Sequence, residues 1–216
     1  MLPKTLKILA IAPHTDDLEL ACGGSICRWT NMNCKVHCVA FSDCHDTLAD
    51  TPFKPETLGK ESISALRNLG VTKSQIVIFN QTNKHFYRES RDIFDKLEEL
   101  KKQLNPDLVL IPSLRDTHQD HLIVAQQALH VFRRDTSIMS YEQPWNNLTF
   151  APNFFITLNE SQIQKKIQSL TLFKTQAHLN RSYFDSGFIR GLARVRGTQA
   201  LTQYAEAFEI IKLIDR

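Results

Sequence analysis

Four short apolar runs, each followed by a longer segment with helical spacing, restrict what this chain can fold into. The runs span residues 6–12, 35–41, 75–79 and 108–111. Each is β-branched or Leu-rich and bounded by turn or polar residues, which reads as a strand. The intervening segments, 17–31, 56–69, 88–104 and 121–133, read as helices. The second ends at Gly70, a C-cap residue, and the third stops at Asn105-Pro106 after placing Ile93, Leu97, Leu100 and Leu104 on one face. Strands alternating with helices predict an α/β fold, a mostly parallel sheet with helices on both faces. In such sheets functional sites form beyond the C-terminal ends of the strands.

The last third departs from the alternation. It offers a loop over 141–149, an apolar stretch at 154–158, a helix over 160–173 with Ser161 near its start, an Arg-rich segment at 190–197 and a strand-like end at 205–213. No repeat, linker or low-complexity segment divides the 216 residues, so one domain spanning 1–216 is expected. Net charge is +3, with the basic residues dispersed, which argues against nucleic acid as a partner. No apolar run approaches the ~20 residues a membrane span requires. The opening Met1-Leu2-Pro3-Lys4 is too short and polar for a signal peptide, and the five cysteines (Cys22, Cys27, Cys34, Cys38, Cys44) are odd in number. Free buried thiols and a cytoplasmic location are expected. Assembly with further copies of the chain, a homo-oligomer, is left open.

Two chemistry-bearing motifs follow the first and fourth runs and so fall on the same sheet edge. The first is His14-Thr15-Asp16-Asp17. His14 and Asp17 are three apart, so a helical turn lets both converge on one divalent ion while Asp16 points elsewhere, available as a general base. The competing reading is a helix N-terminus in which Asp16 or Asp17 caps open N–H groups. The second is His118-Gln119-Asp120-His121. A His pair at this spacing is weak alone. Together the motifs supply three ligands and an acid/base pair, Asp16 and His118, as metal-assisted hydrolysis requires.

The stretch PHTDDLELACGG together with DTHQDH resembles the N-acetylglucosaminyl-phosphatidylinositol de-N-acetylases and LmbE-like deacetylases, the PIG-L family. The resemblance extends to YEQPWNNLTF and to the FIRGLARVRGTQ and YAEAFE segments. It implies a Rossmann-like α/β fold and a zinc-dependent N-deacetylase. His14, Asp17 and His121 match the metal ligands, Asp16 the base, His118 the residue that steadies the oxyanion, and Asp120 a carboxylate that orients His118. The implied reaction removes acetyl from an N-acetylated amine on an N-acetylglucosamine-type sugar or conjugate. The alternatives are a zinc amidase for a larger amide and a non-catalytic sugar-nucleotide or metal-binding module. Zn²⁺ is the expected metal, and Fe²⁺ accepts the same donors. Two departures stand out: Thr15 replaces the usual Pro, and Leu18 separates Asp17 from Glu19, which leaves Glu19 without an assigned role. Lys60 stands where some relatives carry an Arg.

Gly23-Gly24 lacks the spacing of a dinucleotide-binding turn and reads instead as close packing of the first helix. Ser42 and Asp43 end the second run at the active edge, as substrate contacts or as a loop cap. Trp145 and Asn146 suit a sugar platform or a packed rim loop. Arg190 and Arg194 share a helical face, either to bind an anionic substrate group or to pair with Glu206 and Glu209.

Overall fold

A computed structural model describes residues 5–215, so the opening residues 1–4 read above lie outside the described part of the chain. The strands are β1 (Lys7–His14), β2 (Lys35–Ser42), β3 (Ile76–Ile78), β4 (Leu108–Pro112), β5 (Ser137–Tyr141), β6 (Phe154–Leu158) and β7 (Tyr204–Lys212). The helices are α1 (Asp17–Asn31), α2 (Thr57–Asn68), α3 (Ser90–Leu104), α4 (Gln119–Phe132), α5 (Glu160–Leu170), α6 (Lys174–His178) and α7 (Ser186–Gln199). The seven strands form one sheet in the order β3-β2-β1-β4-β5-β7-β6. β1 to β5 pair in parallel, and β7 runs antiparallel between β5 and β6.

Strand alternation sorts the core into two layers. Ile8, Ala10 and Ala12 of β1 join one cluster with α1 and α5, while Leu9 and Ile11 join the opposite cluster with α3 and α4. The four predicted parallel strands are all present, and β1 ends two residues beyond its apolar run, so that His14 itself ends the strand. Gly70 adopts φ 95° just past α2, where a left-handed C-terminal residue is needed. All five cysteines are buried thiols. No helix among the described residues is long and apolar enough to cross a membrane.

Two differences from the sequence reading have physical causes. β5 (SIMSY) has too few consecutive apolar residues to stand out. Its serines are instead satisfied by the chain's C-terminal part, Ser140 Oγ by Glu209 Oε2 at 3.3 Å and Ser137 Oγ by the Ile214 N–H at 3.0 Å. α5 is capped by Asn159, not Ser161, through a reciprocal bond pair with Gln162.

α1 is fixed from inside. Its dihedrals break at Cys22 (φ −134°), and the amides of Gly24 and Ser25 donate to the Glu206 carboxylate at 2.9 and 2.7 Å. Lys166 Nζ closes the buried network on Glu206 Oε1 at 2.6 Å. A Cβ on Gly24 would lie 2.5 Å from Leu158 Cδ1 and 3.1 Å from Glu206 Oε1, so the Gly pair is a close-packing device, as expected. Glu206 and Glu209 are thus occupied by Lys166 and by the Ala151 amide, and neither pairs with Arg190 or Arg194. Replacing Glu206 by Gln keeps the shape but leaves Lys166 buried and unpaired. E206Q is expected to cost about 3–5 kcal/mol, read as a lowered midpoint in urea unfolding.

Candidate active site

β1 and β4 are adjacent and parallel, in register at Ile8↔Leu108, Leu9↔Val109 and Ala10↔Leu110. Their crossovers leave in opposite directions along the sheet, which opens a crevice beyond their C-terminal ends. His14 ends β1, and the chain beyond β4 turns through Asp116 to His118, the N-cap of α4. Residues a hundred positions apart thereby meet.

His14 Nδ1 lies 3.2 Å from His121 Nε2, and Asp17 Oδ2 lies 3.6 and 3.5 Å from those two nitrogens. All three residues are buried. The outward nitrogens are held by carboxylates: His14 Nε2 by Asp120 Oδ2 at 3.1 Å and His121 Nδ1 by Asp116 Oδ2 at 2.9 Å. A carboxylate accepts, so both outward nitrogens carry protons, and in neutral rings the inward ones present bare lone pairs. Three lone pairs facing one point require a positive charge among them. This donor set fits a divalent cation, with each His braced from behind. Without the cation a proton serves: burial opposes the charge on His14, but Asp120 and Asp17 prevail and raise its pKa to about 10.

Asp16 occupies the N-cap position of α1 with left-handed backbone (φ 92°) and makes no side-chain capping bond. The capping alternative therefore fails for Asp16. It fails for Asp17 as well, since Asp17 Oδ2 accepts the His14 N–H at 2.9 Å and Oδ1 accepts from Gln143. Burial, then the charges of Asp17 and Glu19, push the Asp16 carboxyl well above its usual range. His118 Nδ1 accepts the Asp120 N–H at 3.2 Å, which leaves the ring proton on Nε2. Burial, with His121 and His14 nearby, lowers His118 to about 4, so it is neutral at pH 7.

Asp120 orients His118 through its backbone amide. Its carboxylate, expected to face His118, instead holds His14 and accepts the Lys84 and Phe86 amides at 2.6 and 3.3 Å. Glu19 is 1% exposed and accepts from Ser62 Oγ at 2.9 Å, apart from the ligand cluster. Ser42 is fully buried and its Oγ accepts the Cys44 N–H at 3.1 Å, the loop-cap alternative. Asp43 holds His45 Nδ1 at 2.6 Å. Trp145 stacks on Tyr183 with ring centroids 4.5 Å apart, and the Asn146 carbonyl accepts from Thr117 beside His118. Arg190 is engaged by Glu160 and the Tyr204 hydroxyl, while Arg194 stands exposed on α7. Lys60 is exposed and pairs with Glu56.

Two residues of the cluster escaped the sequence reading. Asp116 stood in the quoted DTHQDH motif, five residues before the histidine it braces, a spacing that carries no signal. Gln143 stood in the quoted YEQPWNNLTF segment without an assigned role, because its position depends on the unrecognised β5.

Residues 9–132 match the PIG-L family, described as GlcNAc-PI de-N-acetylase, and the chain belongs to that family. It is 30% identical over 177 residues to the uncharacterized deacetylase YaiS of Escherichia coli (strain K12), covering 80% of this chain and 92% of that protein. The fold matches N,N'-diacetylchitobiose deacetylase from Pyrococcus horikoshii with a TM-score of 0.79 at 21% identity, over 95% of this chain and 83% of that one. It also matches GalB, the 4-carboxy-2-hydroxymuconate hydratase of Pseudomonas putida KT2440, with a TM-score of 0.77 at 18% identity, over 97% and 98% of the two chains. One fold thus serves both a deacetylase and a hydratase, so chemistry must be argued from side chains.

Burial raises Glu19 to about 8, from an ordinary carboxylate value near 4.5. A raised folded-state value makes this group's contribution complete below about 4.5 and progressively lost as pH rises through about 8. In the presence of chelator, E19Q is expected to match the parent protein near pH 5 and to exceed its thermal stability increasingly toward pH 9. Parallel unfolding-temperature curves from pH 5 to 9 would remove Glu19 as a source of the pH dependence.

Proposed function

We propose that this chain is a metal-dependent N-deacetylase that hydrolyses the acetamide of an N-acetylglucosamine-type sugar or its conjugate. The supporting observation is the division of labour at the sheet edge: three converging donors braced from behind, beside a raised carboxyl and a neutral imidazole that bind no ligand atom. Family membership and the deacetylase relatives favour amide hydrolysis over hydration.

His14, Asp17 and His121 are the residues that would hold Zn²⁺, and the same nitrogen and oxygen donors suit Fe²⁺. When bound, the ion supplies a Lewis acid that polarises the amide carbonyl and eases deprotonation of water. Asp16 takes a proton from the attacking water, a task for which an elevated carboxyl is well matched. His118 donates from Nε2–H to the oxyanion formed at the former carbonyl oxygen. Its low basicity suits it to donating a hydrogen bond without surrendering the proton. Asp16 then returns its proton to the nitrogen as the C–N bond breaks, giving acetate and a free amine. Asp120 keeps His14 oriented, Asp116 does the same for His121, and Trp145, Asn146 and Asp43 form the rim that receives the sugar. We place the enzyme in the cytoplasm.

D16N is expected to retain bound metal, measured by elemental analysis, while kcat for acetate release falls ~10²–10⁴-fold. Full activity in D16N would sink the assigned base. A panel of N-acetylated sugars and larger N-acyl conjugates tests the substrate class: acetate release supports the reading, a larger acid without acetate replaces it with an amidase, and stoichiometric binding without turnover replaces it with a binding module.

A further inference from the structure

Gln143 lies just beyond β5, 1% exposed, and its Nε2 donates to Asp17 Oδ1 at 2.7 Å. A carboxylate only accepts, so the amide orientation is determined by its partner. The two oxygens of Asp17 therefore have separate tasks. Oδ1 is tied to Gln143, and Oδ2 accepts the His14 N–H and faces His14 Nδ1 and His121 Nε2.

We infer that Gln143 is a positioning residue that makes Asp17 a one-oxygen metal ligand and thereby keeps a coordination position open. This rests on the metal-binding reading proposed above. A carboxylate released from Gln143 can rotate both oxygens onto the ion. The second oxygen then takes a position that water and the amide carbonyl need, whereas three single-atom protein donors leave one available.

The surroundings give Gln143 the rigidity this role demands. Its N–H donates to Asn147 Oδ1 at 2.8 Å, and its carbonyl accepts the Asn146 and Asn147 amides, both at 2.9 Å. Asn147 forms a bridge to Asp116, the residue that braces His121. The Asn146 carbonyl in turn accepts the Thr117 amide at 3.2 Å and hydroxyl at 2.8 Å. One short loop thus restrains two of the three ligands, Asp17 through Gln143 and His121 through Asp116.

The test uses the full chain loaded with Co²⁺, whose visible absorption weakens as coordination number rises. Q143M keeps the length without a donor, and Q143N keeps the amide one methylene short of Asp17, so that one variant can be read if the other does not fold. Both are expected to lose cobalt band intensity, to bind Zn²⁺ ~10–100-fold more weakly in chelator competition, and to lose kcat with little change in KM. A folded Q143M or Q143N with the parent protein's cobalt spectrum would overturn the inference while leaving the metal site standing. A parent protein that takes up no stoichiometric Co²⁺ or Zn²⁺ would instead overturn the metal-binding reading itself, and the inference with it.

Discussion

The parallel pairing of β1 with β4 is the contact on which the site depends. These strands lie side by side at the centre of the sheet, and the chain leaves them in opposite directions, β1 toward β2 and β4 toward β5. No side chain has to create the resulting crevice; the backbone topology does so. His14 at one strand end and His118, Asp120 and His121 after the other are delivered to it. The Glu206 carboxylate performs a related task from within, holding α1 at its break so that Asp17 meets both histidines.

The electrostatics of the cluster follow from a simple inventory of donors and acceptors. Asp120 and Asp116 claim the outward imidazole nitrogens and force the inward ones to present lone pairs. Gln143 claims one oxygen of Asp17 and leaves the other facing them. Everything around the centre thus restricts how its donors point. Asp16 differs from Asp17 by one residue and by backbone hand: at φ 92° it leaves the cluster, and burial beside like charges makes it a stronger base.

Much of this was legible in the linear chain. Four of the five parallel strands carried unambiguous apolar runs, and the two His-Asp motifs followed directly on β1 and β4. The deficits share one cause, the absence of a local signal. Two of the five residues of β5 are serine and its ends are polar, so no apolar run marks it as a strand before β7 pairs with it. With β5 unseen, Gln143 had no place in the site. The resemblance implies that the Asp120 carboxylate orients His118, two residues away, yet it reaches across to His14. Arg190, for which the sequence offers Glu206 and Glu209 or an anionic substrate group, bonds Glu160 and the Tyr204 hydroxyl.

Residue types and short-range spacing determined the strand-helix alternation and the sheet edge at which the His-Asp motifs gather, since these depend on hydrophobic periodicity and on where each apolar run ends. Only the tertiary structure decided which carboxylate braces which histidine, which oxygen of Asp17 is free, and why Gly24 must lack a side chain. Those relations join residues up to 182 positions apart, as between Gly24 and Glu206. Hydrogen-bond partnership depends on a few tenths of an ångström, and no pattern along the chain encodes a distance across it.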